Sequence, residues 1–109
     1  MSRLAACVPN PARGEAPLSI GNEILLIRPS FAALVAAEEE TGPLLALVDR
    51  AAEGRLALTH IEALLWHCLA HKPAGLERAD FADALLTGGL AAAMPALRMV
   101  LRQVVAGGE

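Results

Sequence analysis

Three histidines, one cysteine, one glutamate and one tryptophan are the residues whose types and spacing could do chemistry in this chain. His60, His67 and His71 lie within about 40° of one another if they share a helix, because each residue turns the chain ~100°. His67 and His71 are then one turn apart and could hold a single metal ion. His60 is about 10 Å from His67 along the axis, at ~1.5 Å per residue, and cannot join them. Two ligands fall short of a zinc site, and no acidic residue stands between them as in a metalloprotease helix. The alternative is the polar edge of a surface helix, and no metal or other cofactor is expected. Cys68 falls on the side of Ile61 and Leu65 and reads as a small hydrophobe. His67 is its neighbour in sequence, and adjacent residues on a helix do not face each other, so a Cys–His catalytic pair is disfavoured.

No Gly-rich phosphate loop, nucleophile elbow or pair of catalytic carboxylates can be read, so no enzyme is expected. The run Glu38-Glu39-Glu40 reads as a solvated helix end. Glu38 is the exception, because it shares a stripe with Phe31, Leu34 and Val35. A carboxylate on an apolar stripe needs a partner. Arg28, or a backbone donor from a preceding hairpin, is the candidate. Trp66 lies opposite the Ile61–Leu65–Cys68 stripe, with Ala63 and Ala70 beside it. The helix that carries it is therefore apolar almost all round, which suits a central helix or one with two partners. Trp is enriched at interface hot spots. A buried core Trp and a partner-binding surface of Trp66, Ala63 and Ala70 both stay open, with Ile24 and Leu26 as a second candidate patch.

The elements that position these residues follow from composition and period. The chain has 109 residues, 55% of them hydrophobic and 19% charged, and a net charge of −3. That length fits one domain. The apolar content excludes disorder as the main state. The acidic balance excludes a basic patch that tracks phosphates, so no nucleic acid is expected. No stretch of about 18 uncharged apolar residues is present, so no membrane span is expected. Cys7 and Cys68 form no disulfide framework and read as reduced thiols of a cytoplasmic protein. Ala and Leu dominate the apolar residues, and both favour helix.

Residues 1–14 read as a flexible tail broken by Pro9, Pro11 and Gly14, and a single domain is expected over 15–106. Leu18-Ser19-Ile20 and Glu23 to Ile27 flank Gly21-Asn22, which predicts a two-residue hairpin over about 16–28. Pro17 makes the first strand an edge. The second strand is apolar on both faces, so one face needs a further cover. Ser30 is the expected N-cap of a first helix that Gly42 stops. Pro43 opens a second helix with Leu44, Leu47, Val48 and Ala51 inward, ended by Gly54. Thr59-His60-Ile61-Glu62 reads as a capping box opening a third helix to about His71. A fourth spans Leu76 to Thr87, with Phe81, Ala82, Leu85 and Leu86 inward. The last runs from Leu90 to Ala106, with Leu90, Met94, Leu97, Leu101 and Val104 inward, and Pro95 kinks it or delays its start. The expected fold is α+β and mostly helical: an N-terminal β-hairpin packed on four or five short helices. Surplus apolar surface on the hairpin and last helix predicts self-association into a homo-oligomer.

Several segments, in order, carry a family resemblance: Asn10-Pro-Ala-Arg-Gly-Glu15, the hairpin around Gly21-Asn22, Arg28-Pro29-Ser30-Phe31-Ala-Ala-Leu34, Glu38 with Thr41-Gly42, and Leu64-Leu65-Trp66. Together they resemble the tail assembly chaperone family of gene transfer agents, also described as tail tube-associated proteins. These are phage-like particles encoded in alphaproteobacterial genomes. The chain departs from the family pattern at Ser30, Ala37, His67-Cys68 and Pro95. The resemblance implies a non-enzymatic role: binding the tape measure protein, or tail tube subunits, during assembly of a gene transfer agent or prophage tail. Two alternatives are a structural subunit retained in the particle and a small metal-binding protein using His67 and His71.

Overall fold

The computed structural model describes residues 15–20 and 23–106. The expected tail before Glu15, the Gly21-Asn22 turn and Cys7 lie outside the described residues. The described chain places strands β1 (Ala16–Ile20) and β2 (Glu23–Ile27) before helices α1 (Phe31–Thr41), α2 (Leu44–Ala52) and α3 (Leu58–His67). A short strand β3 (Leu69–Ala70) follows, then α4 (Arg78–Gly88), a 3₁₀ turn (Leu90–Ala93) and α5 (Met94–Ala106). The architecture is α+β and mostly helical, as the change of period at Pro29 predicts.

The sheet is antiparallel in the order β1-β2-β3, with Leu18 opposite Leu25 and Ile20 opposite Glu23. Pro17 sits on the edge strand, where its missing N–H costs no ladder bond. Ala16, Leu18, Leu25 and Ile27 face the helices and are buried. Leu26 points to the other face by strand alternation. It is buried too, opposite its cross-strand partner Ala70. Thus β3 closes the free edge of β2, and both faces of the end of β2 are buried within one chain.

The strand β3 corrects the expected third helix. α3 ends at His67, not His71, and Leu69–Ala70 pairs with Ile27 and Leu26. The Arg28 N–H donates to the Cys68 carbonyl at 2.7 Å and steers the chain onto the free edge of β2. A local helix preference yields here to a non-local backbone ladder. The capping box also fails: Ala57 precedes the first helical residue and no side chain caps α3. Glu62 is drawn instead to Arg78.

α1 is rotated from the expected face. Ser30 caps it as predicted, its Oγ accepting from the Ala33 N–H at 3.2 Å. The inward residues are Ala37, fully buried, and Ala33 and Leu34, partly so. Phe31, expected inside, is 84% exposed. The rotation spares Glu38 from burial. Its carboxylate stays at the rim and accepts from the Leu44 N–H at 3.1 Å, satisfying a free donor at the start of α2. Gly42, at φ 92°, makes the corner between the two helices.

α4 buries Phe81 and Leu85 but leaves Leu86 exposed, against expectation. Pro95 delays the last helix: the 3₁₀ turn precedes it, and the proline falls in the first turn, where no N–H is needed. The buried stripe of that segment is Ala93, Ala96, Leu97 and Val100, with Leu90, Met94, Leu101 and Val104 only partly covered. The core centres on Phe81, Leu64, Leu65, Leu47, Ile27, Leu18 and Val100.

Candidate functional site

The densest polar cluster joins three helices. Glu40 from α1, Glu62 and His67 from α3, and Arg78 from α4 converge. Arg78 Nε donates to Glu62 Oε2 at 2.9 Å, and Nη1 donates to Glu40 Oε1 at 2.8 Å. Arg78 Nη2 reaches Glu62 Oε1 at 2.8 Å and also bonds Glu40 Oε2. His67 Nε2 lies 2.8 Å from Glu40 Oε1. The Arg78 guanidinium first, and His67 second, hold the Glu40 carboxyl at about 2, down from 4.5. Glu62 and then Glu40 push the Arg78 guanidinium above its ordinary value. All four carboxylate oxygens accept a hydrogen bond. The cluster clamps the three helices together.

The helix expected to set His67 and His71 one turn apart ends at His67. His67 ends α3 and engages Glu40, whereas His71 lies beyond β3 with its backbone at φ 55°. Among the described residues, no group of three or more His, Cys, Asp and Glu is placed to hold a metal ion. His60 Nδ1 is buried with no hydrogen-bond partner among the described residues. Cys68 is buried as expected, and desolvation pushes its thiol up to about 12, far from a nucleophile's range. Arg28 does not serve Glu38. Its Nε donates to the buried Glu15 at 2.9 Å, fastening β1 to the end of β2.

The residues proposed for partner binding do not make one open face. Trp66 is half-buried, its ring 5.5 Å from that of Phe81 and tilted by 53°. Lys72 Nζ stands 5.1 Å from the Trp66 centroid, within range of a cation–π contact. Ala63 and Leu26 are buried, Ala70 is half-buried, and Ile24 is exposed. Ala63, on α3, is thus closed off within the chain, and Ala70 lies on β3 instead of on the helix.

Two grooves carry most of the exposed large apolar residues instead. One, of about 400 Å³, is lined by Pro29, Phe31, Leu34, Val35, Glu38, Leu44, Leu45, Gln103 and Val104. It runs between α1, α2 and the end of α5, with Phe31 and Leu45 standing out from it. The second, of about 270 Å³, lies between α3 and α4 and is lined by Leu58, Thr59, Glu62, Ala82, Asp83, Leu85, Leu86 and Leu90. Neither was read from the sequence, because a helical stripe does not say which of its apolar residues the other helices leave uncovered. The Arg78 cluster was missed for a related reason: its partners are 16 and 38 residues away.

No single helix among the described residues is long and apolar enough to cross a membrane. Residues 13–107 match the family model described as phage tail tube protein, GTA-gp10. Comparison with curated proteins and with solved structures gives no significant match.

Proposed function

We propose a function from one premise: the chain belongs to the family of phage tail tube protein, GTA-gp10, which is a phage tail family and not an enzyme family. On this reading the protein is a tail assembly chaperone of a gene transfer agent or prophage. It works in the cytoplasm, without turnover of its own. It binds an apolar or amphipathic helical segment of the tape measure protein or of a tail tube subunit until the tail is built. The observation that carries this reading is the groove around Phe31. A phenylalanine 84% exposed beside Val35 and Leu45, with a trough of about 400 Å³, is apolar surface left uncovered by the described residues. A groove between helices suits an amphipathic helix presenting residues at i, i+3 and i+4.

The test is co-expression with the tape measure protein encoded in the same particle, followed by pull-down. The wild type should keep that protein soluble and bound, and Phe31→Ala should lose most of it. The exposed Ile24 and half-buried Trp66 enter the same assay as second candidates. A tape measure protein left insoluble and unbound by the wild type would remove the reading's main support.

A second reading follows from the family's own description as a tail tube protein: a structural subunit retained in the particle. Mass spectrometry of purified particles separates the two. A chaperone is absent from them or present in trace, whereas a subunit appears in fixed proportion to the other tail proteins.

A further inference from the structure

We infer that the groove around Phe31 takes a cationic amphipathic helix of a partner protein, with a lysine or arginine about two turns from the apolar side chain that meets Phe31. The inference rests on the proposed function, which puts a helix in this groove, and adds the charge that the helix must carry. Three observations support it. First, of the nine residues that line the groove, Glu38 is the charged one. It follows Phe31 by seven residues, so it lies on the same stripe of α1, about 10.5 Å further along at ~1.5 Å per residue. Its Oε2 accepts from the Leu44 N–H, whereas Oε1 accepts from nothing among the described residues. One carboxylate oxygen is therefore open at the end of an otherwise apolar trough.

Second, the negative charge at that end is left uncompensated. From Pro29 to Asp49 the sequence holds Glu38, Glu39, Glu40 and Asp49 and no lysine, arginine or histidine. The three glutamates crowd the C-terminal end of α1, where the helix dipole favours cations, and no basic residue stands in that last turn. Glu40 is relieved by Arg78 and His67. Glu39, one turn beyond the groove residue Val35, is exposed, and its carboxylate has no partner among the described residues.

Third, the cations on the elements that build the groove are turned away from it or already used. α5 contributes Gln103 and Val104, and its exposed Arg102 lies about 160° round the helix from Val104, at ~100° per residue. On α2, Arg50 lies about 140° round from Leu45 by the same spacing. Arg28, next to Pro29, donates to Glu15. The cation that Glu38 and Glu39 lack must then come from the occupant. A helix lying along α1 sets apolar residues at i, i+3 and i+4 against Phe31, Leu34 and Val35. Its residue seven positions away then falls beside Glu38 Oε1 and Glu39.

The probes are three fluorescently labelled helical peptides that share a leucine stripe at i, i+3 and i+4. The stripe is flanked on each side, about two turns away, by lysine in one peptide, glutamine in the second and glutamate in the third. Fluorescence anisotropy with the full chain at low ionic strength should rank them in that order, with about fivefold or more in affinity between the first and the last. Added salt should narrow the gap. Glu38→Gln/Glu39→Gln keeps an acceptor oxygen for the Leu44 N–H, so the melting curve should hold while the preference for lysine disappears. Phe31→Ala should weaken all three peptides alike. Equal binding of the three peptides, or a lysine preference that survives both glutamine substitutions, would overturn the inference and leave the helix-in-groove reading standing. Binding of none of them would overturn it too, and the co-expression assay then decides the wider reading separately. Self-association of the chain alone that Phe31→Ala abolishes would put a second copy in the groove and also overturn it.

Discussion

Phe31 and Phe81 are the two phenylalanines of the chain, and they sit in opposite surroundings. Phe81 is fully buried against Trp66 and the leucines of α3, while Phe31 stands 84% exposed at the first turn of α1. Both open or follow a helix start, and both belong to an apolar stripe. The difference lies in what surrounds them. α4 runs against β1 and α3, so its stripe meets side chains along its length. α1 packs beside α3 and turns the small Ala33 and Ala37 inward, which leaves the larger Phe31 and Val35 at the rim. Large apolar groups on the outward side of such a helix are available to another molecule.

Substitutions at these two sites test that contrast most directly. Phe81→Ala should cost about 3–5 kcal/mol, from lost transfer energy and the cavity left behind. For a small domain this would lower the melting temperature by tens of degrees or abolish folding. Phe31→Ala should change stability by no more than about 0.5 kcal/mol, as other exposed positions do. If thermal melts rank the two variants together, the contrast between core and rim is wrong.

The Arg78 cluster lies between those extremes. Its groups are partly solvated, with the Arg78 side chain 36% exposed, so most of the attraction is screened. Arg78→Ala should cost about 1 kcal/mol by denaturant titration, above a single surface pair because two carboxylates lose their partner at once. Arg78→Lys should recover only part of the loss, since an ammonium cannot serve both carboxylates in a planar fork.

The smallest expected effect is a pH dependence at Glu40. Its folded value of about 2 lies below the usual 4.5, so the folded state binds this proton less readily than the unfolded one. The stabilisation is complete above pH 4.5 and is lost as pH falls towards 2. Glu40→Gln should therefore differ most from the wild type above pH 4.5, with the gap closing on acidification. A gap that stays constant down to pH 2 would show that Glu40 is not tied to Arg78 in solution.

Much of the architecture was legible from local chemistry. Pro17 and the alternating run after it define an edge strand, Ser30 caps α1, Gly42 turns the corner before Pro43, and Pro95 sets where α5 begins. Each acts over a few residues, through a fixed φ, a missing N–H or a hydroxyl within reach of a nearby amide. These rules need no knowledge of the rest of the chain. The family resemblance was legible too, as an ordered series of short segments that the match over residues 13–107 supports.

What depends on distant parts of the chain could not be read that way. Leu69–Ala70 leaves the helix because β2 offers an open edge. Glu62 abandons its expected cap for Arg78, sixteen residues on. Phe31 stays outside because packing turns Ala33 and Ala37 of α1 inward instead. The face of a helix that is buried, and hence the grooves that remain, is decided by competition among several helices for a small core. Periodicity names the contestants, but only their packing together selects which side chains go in and which are left for a partner.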